Sequence, residues 1–115
     1  MAGPDFAVAL ADLDKALSSI EAVIDPARTR TEIAELEQQV AAPDLWDHPD
    51  NAQRVTSRLS VLQAEVDRLV GLRSQLDDLG VLVELGQEEG DQASLTEAGE
   101  ILASLQKAIE VFNRI

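Results

Sequence analysis

Aliphatic residues recur every three or four positions along almost the whole chain, and this spacing constrains the fold more than any other feature. Such spacing places side chains in one stripe along an α-helix. Four stripes can be traced, which predicts helices over residues 4–24, 26–41, 49–88 and 93–114. Only 3% of the residues are aromatic, so the core must be packed from Leu, Val, Ile and Ala. The sequence predicts an all-α fold, an antiparallel helical bundle with a long helical hairpin.

The members of each stripe are the residues that we expect to face the core. The four stripes are Phe6, Leu10, Leu13, Leu17, Ile20 and Ile24; Ile33, Leu36 and Val40; Val55, Leu59, Leu62, Val66, Leu69, Leu72, Leu76, Leu79, Leu82 and Leu85; and Leu95, Ala98, Leu102, Leu105, Ile109 and Phe112. Gly71, Gly80 and Gly86 weaken the third helix, because glycine has a low helix propensity. We expect a bend or a fray near Gly86 rather than a break at Gly71.

The helix boundaries follow from proline and from capping residues. Asp25 is the expected N-cap of the second helix, with Pro26 as its first residue. The second helix should end before Pro43, because a residue that precedes proline avoids the helical region. Pro49 begins the third helix, and residues 88–94 form a turn. The shortness of this turn predicts that the third and fourth helices fold back as an antiparallel hairpin.

The charge balance indicates which partners the chain can have. It contains 22 acidic and 9 basic residues, which gives a formal net charge of −13. Phosphate backbones and anionic membranes should repel such a chain, so we expect contacts with protein and no direct contact with nucleic acid or membrane. The N-terminus lacks the basic segment and apolar run of a signal peptide. A cytoplasmic protein is the resulting expectation.

Residues suited to catalysis or to metal binding are scarce. His48 is the only histidine and the chain has no cysteine, so a nitrogen or sulfur metal site has too few ligands. We interpret Asp47 and His48 as residues near the N-cap of the third helix. The acidic pairs Asp77–Asp78 and Glu88–Glu89 lack the spacing of a calcium loop. We therefore expect no catalytic, cofactor-binding or metal-binding residues, and a chain that is not an enzyme on its own.

Trp46, the only tryptophan, lies in "DLWDHPD" between the second and third helices. Leu45 and Trp46 are apolar within a polar connection, so both are expected to fold back onto the bundle. We predict that Trp46 is buried as a cap on the core, in which case truncation to alanine would cost about 3–5 kcal/mol. The competing interpretation is an exposed aromatic anchor for a partner.

The same region carries a family resemblance. The stretch "AAPDLWDHPDNAQRVTSRLSVLQAEV" resembles the N-terminal domain of bacterial class I peptide chain release factors, and the resemblance extends from about Leu17 to Ile109. The family motif is a Pro-Asp-aliphatic-Trp-Asp/Asn stretch followed by a proline and an Ala-Gln pair. We interpret its members as structural residues, and in this chain they are Pro43, Asp44, Leu45, Trp46, Asp47, Pro49, Ala52 and Gln53.

The resemblance implies a role in translation termination. Release factors of this type read UGA and UAA stop codons through a Ser-Pro-Phe tripeptide and trigger peptidyl-tRNA hydrolysis through a Gly-Gly-Gln loop. Neither motif occurs in this sequence, so no catalytic residue is carried over. The helical spacing of apolar residues continues up to Ile115 without a capping glycine or a proline. We therefore expect a fragment of a longer protein, whose decoding and hydrolysis domains lie outside this sequence.

The resemblance also implies partners. Residues 1–115 would form a single N-terminal helical domain, a monomeric regulatory module that positions the factor on the ribosome. It would lie near the stalk base and the factor-binding region, and would take part in interplay with the GTPase release factor 3. The alternative is a self-standing coiled-coil scaffold or a chaperone-like hairpin. Such a hairpin would not need the Trp46 junction and should self-associate.

Overall fold

A computed structural model describes residues 5–114. It contains helices α1 (Phe6–Ile24), α2 (Pro26–Ala41), α3 (Pro49–Glu89) and α4 (Gln92–Arg114), and a short 3₁₀-helix, Pro43–Asp47, which we call the junction helix. The described residues contain no β-strand, which confirms the all-α prediction and its four helices. The predicted start of the first helix at residue 4 lies outside the described residues.

The described chain divides into two compact units. One unit is formed by residues 5–22 and 71–114, and the other by residues 23–70. Among residues 5–114, no helix combines the length and the apolar character that a membrane span requires.

The first unit is packed from three helical segments, and its core is aliphatic except for Phe6. Its buried apolar residues are Phe6, Leu13, Leu17 and Ile20 of α1, Leu72, Leu76, Leu79 and Val83 of α3, and Ala98, Leu102, Leu105 and Ile109 of α4. The α1 and α4 members all belong to the predicted stripes, because a stripe of threes and fours faces one side of a helix. Leu10, Leu95 and Phe112 are also members of those stripes and are partly exposed.

The buried face of α3 departs from the prediction beyond Leu79. The buried positions continue through Val83 and Gly86, whereas Leu82 is partly exposed and Leu85 is 48% exposed. Three successive steps of three residues rotate a position away from the contact face, whereas alternating steps of three and four keep it there. The predicted placement of Leu85 in the core was therefore wrong, and Leu82 is only partly buried.

Gly86 is a packing residue of α3. A Cβ atom at this position would lie 2.9 Å from Cδ2 and 3.2 Å from Cγ of Leu95 in α4. The missing side chain therefore permits the close approach of Leu95 to the α3 backbone. The fray that we expected near Gly86 is not observed, because α3 continues to Glu89.

The turn between α3 and α4 follows from glycine and aspartate chemistry. Gly90 has a φ of 62°, a conformation that glycine adopts without a steric cost. The Asp91 N–H donates to the Gly86 carbonyl at 2.9 Å, which is the long-range bond of a Schellman motif. The Asp91 carboxylate then accepts from the Ser94 hydroxyl at 2.8 Å and from the Ala93 N–H at 3.1 Å. The bonds from Ser94 lower the pKa of Asp91.

The second unit begins at the connection between α1 and α2. Asp25 has a φ of 54°, a left-handed conformation that aspartate tolerates better than most residues. Its carboxylate accepts from the Arg28 N–H at 3.3 Å, which confirms the predicted N-cap. The Thr29 hydroxyl donates to the Ile24 carbonyl at 3.1 Å. A side chain in the first turn of α2 thus supplies a hydrogen bond to the last backbone carbonyl of α1.

The core of the second unit lies where α2, the junction helix and the start of α3 meet. The buried cluster at this place consists of Leu36, Leu45, Ala52, Val55 and Leu62, and Val66 and Leu69 of α3 are also buried in this unit. Ile33, Val40 and Leu59 pack against the cluster and are partly buried. This cluster brings two of the motif residues, Leu45 and Ala52, into the core and so fixes the position of the junction.

Candidate functional site

The junction helix is a hydrogen-bonded turn rather than an irregular connection. Its bonds run from the Leu45 N–H to the Ala42 carbonyl at 3.2 Å and from the His48 N–H to the Leu45 carbonyl at 3.1 Å. Pro43 lies in the first turn, where its fixed φ suits the start of a helix and its missing N–H costs nothing. Sequence reasoning predicted the end of α2 and the start of α3 but not this element.

The junction helix places Leu45 and Trp46 in opposite environments. Leu45 is 7% exposed and belongs to the core cluster, whereas Trp46 is 55% exposed. The Trp46 indole N–H donates to the Val40 carbonyl at 3.1 Å, near the end of α2, where backbone carbonyls have lost their helical partners. The prediction that Trp46 is a buried core cap was therefore wrong, because the ring lies on the surface and is held by one hydrogen bond.

The start of α3 is formed by His48 and Pro49. Because α3 begins at Pro49, His48 occupies the position before the first helical residue, as predicted. Its carbonyl accepts from the Ala52 N–H at 2.9 Å, which closes the first helical turn. The side chains of His48 and Pro49 are exposed.

The remaining motif residues lie on the surface of the same unit. Pro43, Asp44, Asp47, Pro49 and Gln53 are all exposed. The structure therefore brings the whole motif together around the junction helix, with two residues pointing inward and six available to solvent. Within the described residues, no group of three His, Cys, Asp or Glu side chains is arranged to hold a metal ion.

A concavity of about 530 Å³ also lies in the second unit along α2. It is lined by Arg28, Thr31, Glu32, Glu35, Leu36 and Gln39. Its charges have both signs, and Glu32 already accepts from Nε of Arg58 at 3.1 Å. The lining residues therefore do not create an electrostatic potential of one sign. They also do not offer two unpaired carboxylates that could bind a cation.

Sequence reasoning missed an ion-pair cluster around Arg73, which lies in the first unit. Arg73 donates to Glu21 at 2.7 Å, to the Ser18 hydroxyl at 3.2 Å and to Asp14. The bonds from Glu21 and then Asp14 raise the pKa of Arg73 above its usual value. The signal for this cluster was present, since residues 14, 18 and 21 share one face of α1.

Comparison with known proteins identifies the family. The family model described as "PCRF domain" matches residues 29–115. The chain belongs to the PCRF domain family. The PCRF match begins at Thr29, within the first turn of α2, and includes the junction helix and its whole motif.

Individual relatives of this PCRF domain chain are release factors, which confirms the family resemblance. Peptide chain release factor 2 of Acidothermus cellulolyticus is 55% identical over 101 residues, which cover 88% of this chain and 27% of that protein. Peptide chain release factor 2 of Pseudarthrobacter chlorophenolicus is 50% identical over 110 residues, covering 96% and 30% respectively. The chain thus spans less than a third of the length of these relatives.

Proposed function

We propose that residues 1–115 are the N-terminal helical domain of a peptide chain release factor, and that this domain positions the factor on the ribosome. The observation that carries the proposal is the identity of 55% to a release factor 2 across 88% of the chain. In full length, the factor would read UGA and UAA stop codons and trigger peptidyl-tRNA hydrolysis. Residues outside this chain would perform both steps in the cytoplasm.

The surface of the domain supports a positioning role through protein contacts. Six of the eight motif residues are exposed around one short helix, although residues that served only the core would be buried. The net charge of −13 favours basic protein surfaces over phosphate backbones. The ribosome near its stalk base is the proposed partner, release factor 3 is a second one, and the chain itself is monomeric.

The proposal predicts how a chimeric factor behaves in a termination assay. The chimera replaces the matching segment of the Acidothermus cellulolyticus factor with this chain, and a second protein lacks the segment. Peptide release is measured on ribosomes halted at UGA, as a function of factor concentration. We expect the shortened factor to need about tenfold more protein for half-maximal release, equivalent to roughly 1.4 kcal/mol of lost binding, at an unchanged maximal rate.

The chimera should restore the lower half-maximal concentration, and ribosomes halted at UAG serve as the decoding control. The isolated chain should release no peptide. A chimera that performs no better than the shortened factor would contradict the positioning role. So would a shortened factor that matches the intact one at every concentration.

A further inference from the structure

The junction helix has three rows of side chains with different chemistry. In a 3₁₀-helix, residues three positions apart lie directly above one another. Pro43 and Trp46 therefore share one row, Asp44 and Asp47 share the second, and Leu45 occupies the third. Leu45 is buried, whereas the residues of the other two rows are exposed. An apolar row and an acidic row thus lie side by side on the surface.

The apolar row presents a fixed aromatic ring. The indole N–H of Trp46 donates to the Val40 carbonyl at 3.1 Å, which uses the only hydrogen-bonding group of the side chain. The residue is 55% exposed, and the part of the ring that reaches solvent is therefore apolar. A tryptophan held in this way offers a binding face without a large entropic cost of ordering.

The acidic row lacks a cation. Neither Asp44 nor Asp47 forms an ion pair or a side-chain hydrogen bond with any residue of the described chain, whereas Glu32, Asp14 and Glu21 each pair with an arginine. Two carboxylates one turn apart repel each other. A positive group placed beside both of them would relieve this repulsion.

We propose that the two rows together bind an arginine side chain from a basic segment of a separate protein. The guanidinium plane stacks on the Trp46 ring, where a cation is attracted to the π face. Its N–H groups donate to the Asp44 and Asp47 carboxylates in charge-assisted hydrogen bonds. Arginine fits better than lysine, because only a planar guanidinium can stack and donate at the same time.

The charge of the chain selects a protein partner. A net charge of −13 attracts basic peptide segments and repels phosphate groups. The inference rests on the proposed function only in that it assigns the basic segment to a protein of the ribosome. Binding of an arginine peptide to the isolated chain tests it without any ribosome.

The first experiment uses Trp46 as its own reporter, since it is the only tryptophan. The chain is titrated at low salt with a capped peptide of four Gly-Arg repeats, and the tryptophan emission is followed. We expect a saturable change in emission. A capped peptide of four Gly-Lys repeats should bind about threefold more weakly, because an ammonium group is not planar and cannot stack on the ring while it donates to both carboxylates. Equal affinity for the two peptides would overturn the proposal, as would calorimetric binding that leaves the emission unchanged.

Matched variants separate this site from general attraction to an acidic protein. The double variant Asp44→Asn/Asp47→Asn should weaken binding of the arginine peptide by about tenfold. The control Asp77→Asn/Asp78→Asn makes the same change in net charge at two exposed positions of α3 and should weaken binding by less than about twofold. Equal losses in the two double variants would overturn the proposal.

A third variant tests the ring itself. Trp46→Leu should abolish the preference for arginine over lysine, measured by calorimetry, while the circular dichroism spectrum stays unchanged. A preference that survives in Trp46→Leu would overturn the stacking role. A saturable emission change with a polyuridine oligonucleotide, or with protein concentration alone, would identify nucleic acid or a second copy as the occupant and would also overturn the proposal.

Failure of this inference is distinguishable from failure of the proposed function. The peptide titration uses the isolated chain, whereas the release assay uses the chimera. An active chimera with no arginine site would overturn the inference alone. A clear arginine site in a chain whose chimera fails would overturn the proposed function alone.

Discussion

At the scale of single residues, the junction helix shows why one of two neighbouring apolar residues is buried while the other is exposed. Leu45 and Trp46 were both predicted to fold back onto the core, but only Leu45 is buried. Successive residues of a 3₁₀-helix point about 120° apart, so two adjacent side chains cannot both face the same core. The sequence identified the anchoring dipeptide, and the prediction of burial was correct for Leu45 and wrong for Trp46.

Truncation of these two residues should have unequal effects on stability. Leu45→Ala should lower the free energy of unfolding by about 2–4 kcal/mol, because it leaves a cavity among Leu36, Val55 and Leu62. Trp46→Ala should lower it by about 1 kcal/mol, because it removes one exposed hydrogen bond and part of a surface contact. Urea denaturation of both variants measures the two values. A larger loss for Trp46→Ala would contradict the surface placement of the ring.

At the scale of helices, the helix boundaries were predictable from local chemistry. The buried faces of the helices were predictable only in part. Pro26, Pro49, Asp25 and Gly90 act within one or two turns of themselves, so their effects can be predicted without knowing the fold. The last two turns of α3 could not be assigned in this way. In these turns Val83 is buried and Leu95 of α4 lies against Gly86, so packing against another helix decides which face is buried.

Two glycines of α3 provide a matched test of this approach. At Gly80 an added Cβ would meet nothing within 4 Å, whereas at Gly86 it would meet Leu95 at 2.9 Å. Gly80→Ala should raise the free energy of unfolding by about 0.5–1 kcal/mol through helix propensity. At Gly86 this gain is opposed by the displacement of Leu95, so the two variants should differ by about 1–2 kcal/mol. Equal stabilisation in thermal unfolding would show that Leu95 moves aside freely.

At the scale of the whole molecule, two arginines of this acidic chain differ in the number of ion pairs and hydrogen bonds that they form. Arg73 of α3 reaches three acceptors on α1, more than 50 positions away along the chain. Arg58 makes a single ion pair with Glu32, and both of its members are about half exposed. Charge-assisted bonds to a partly buried arginine should contribute more than an exposed pair, because solvent screens them less.

Replacement of each arginine by glutamine should reveal this difference. Arg73→Gln should lower the free energy of unfolding by about 1–2 kcal/mol, because it removes several charge-assisted bonds. Arg58→Gln, the control with the same change in charge, should lower it by less than about 0.5 kcal/mol. Urea denaturation at low and high salt measures both. Equal effects would mean that Arg73 acts only through the overall charge.

The sequence alone was sufficient to predict four helices, their ends to within about two residues, the hairpin and the release factor family. These features depend on the spacing of aliphatic residues and on proline, glycine and capping chemistry, which act over a few neighbouring positions. Only the tertiary structure decided that Trp46 lies on the surface, that Val83 is buried and Gly86 lies against Leu95 of α4, and that Arg73 meets α1. The exposure of Trp46 depends on which row of the junction helix meets the core, and the other two features depend on how α3 packs against α4 and α1. The spacing of residues within one helix does not determine these contacts.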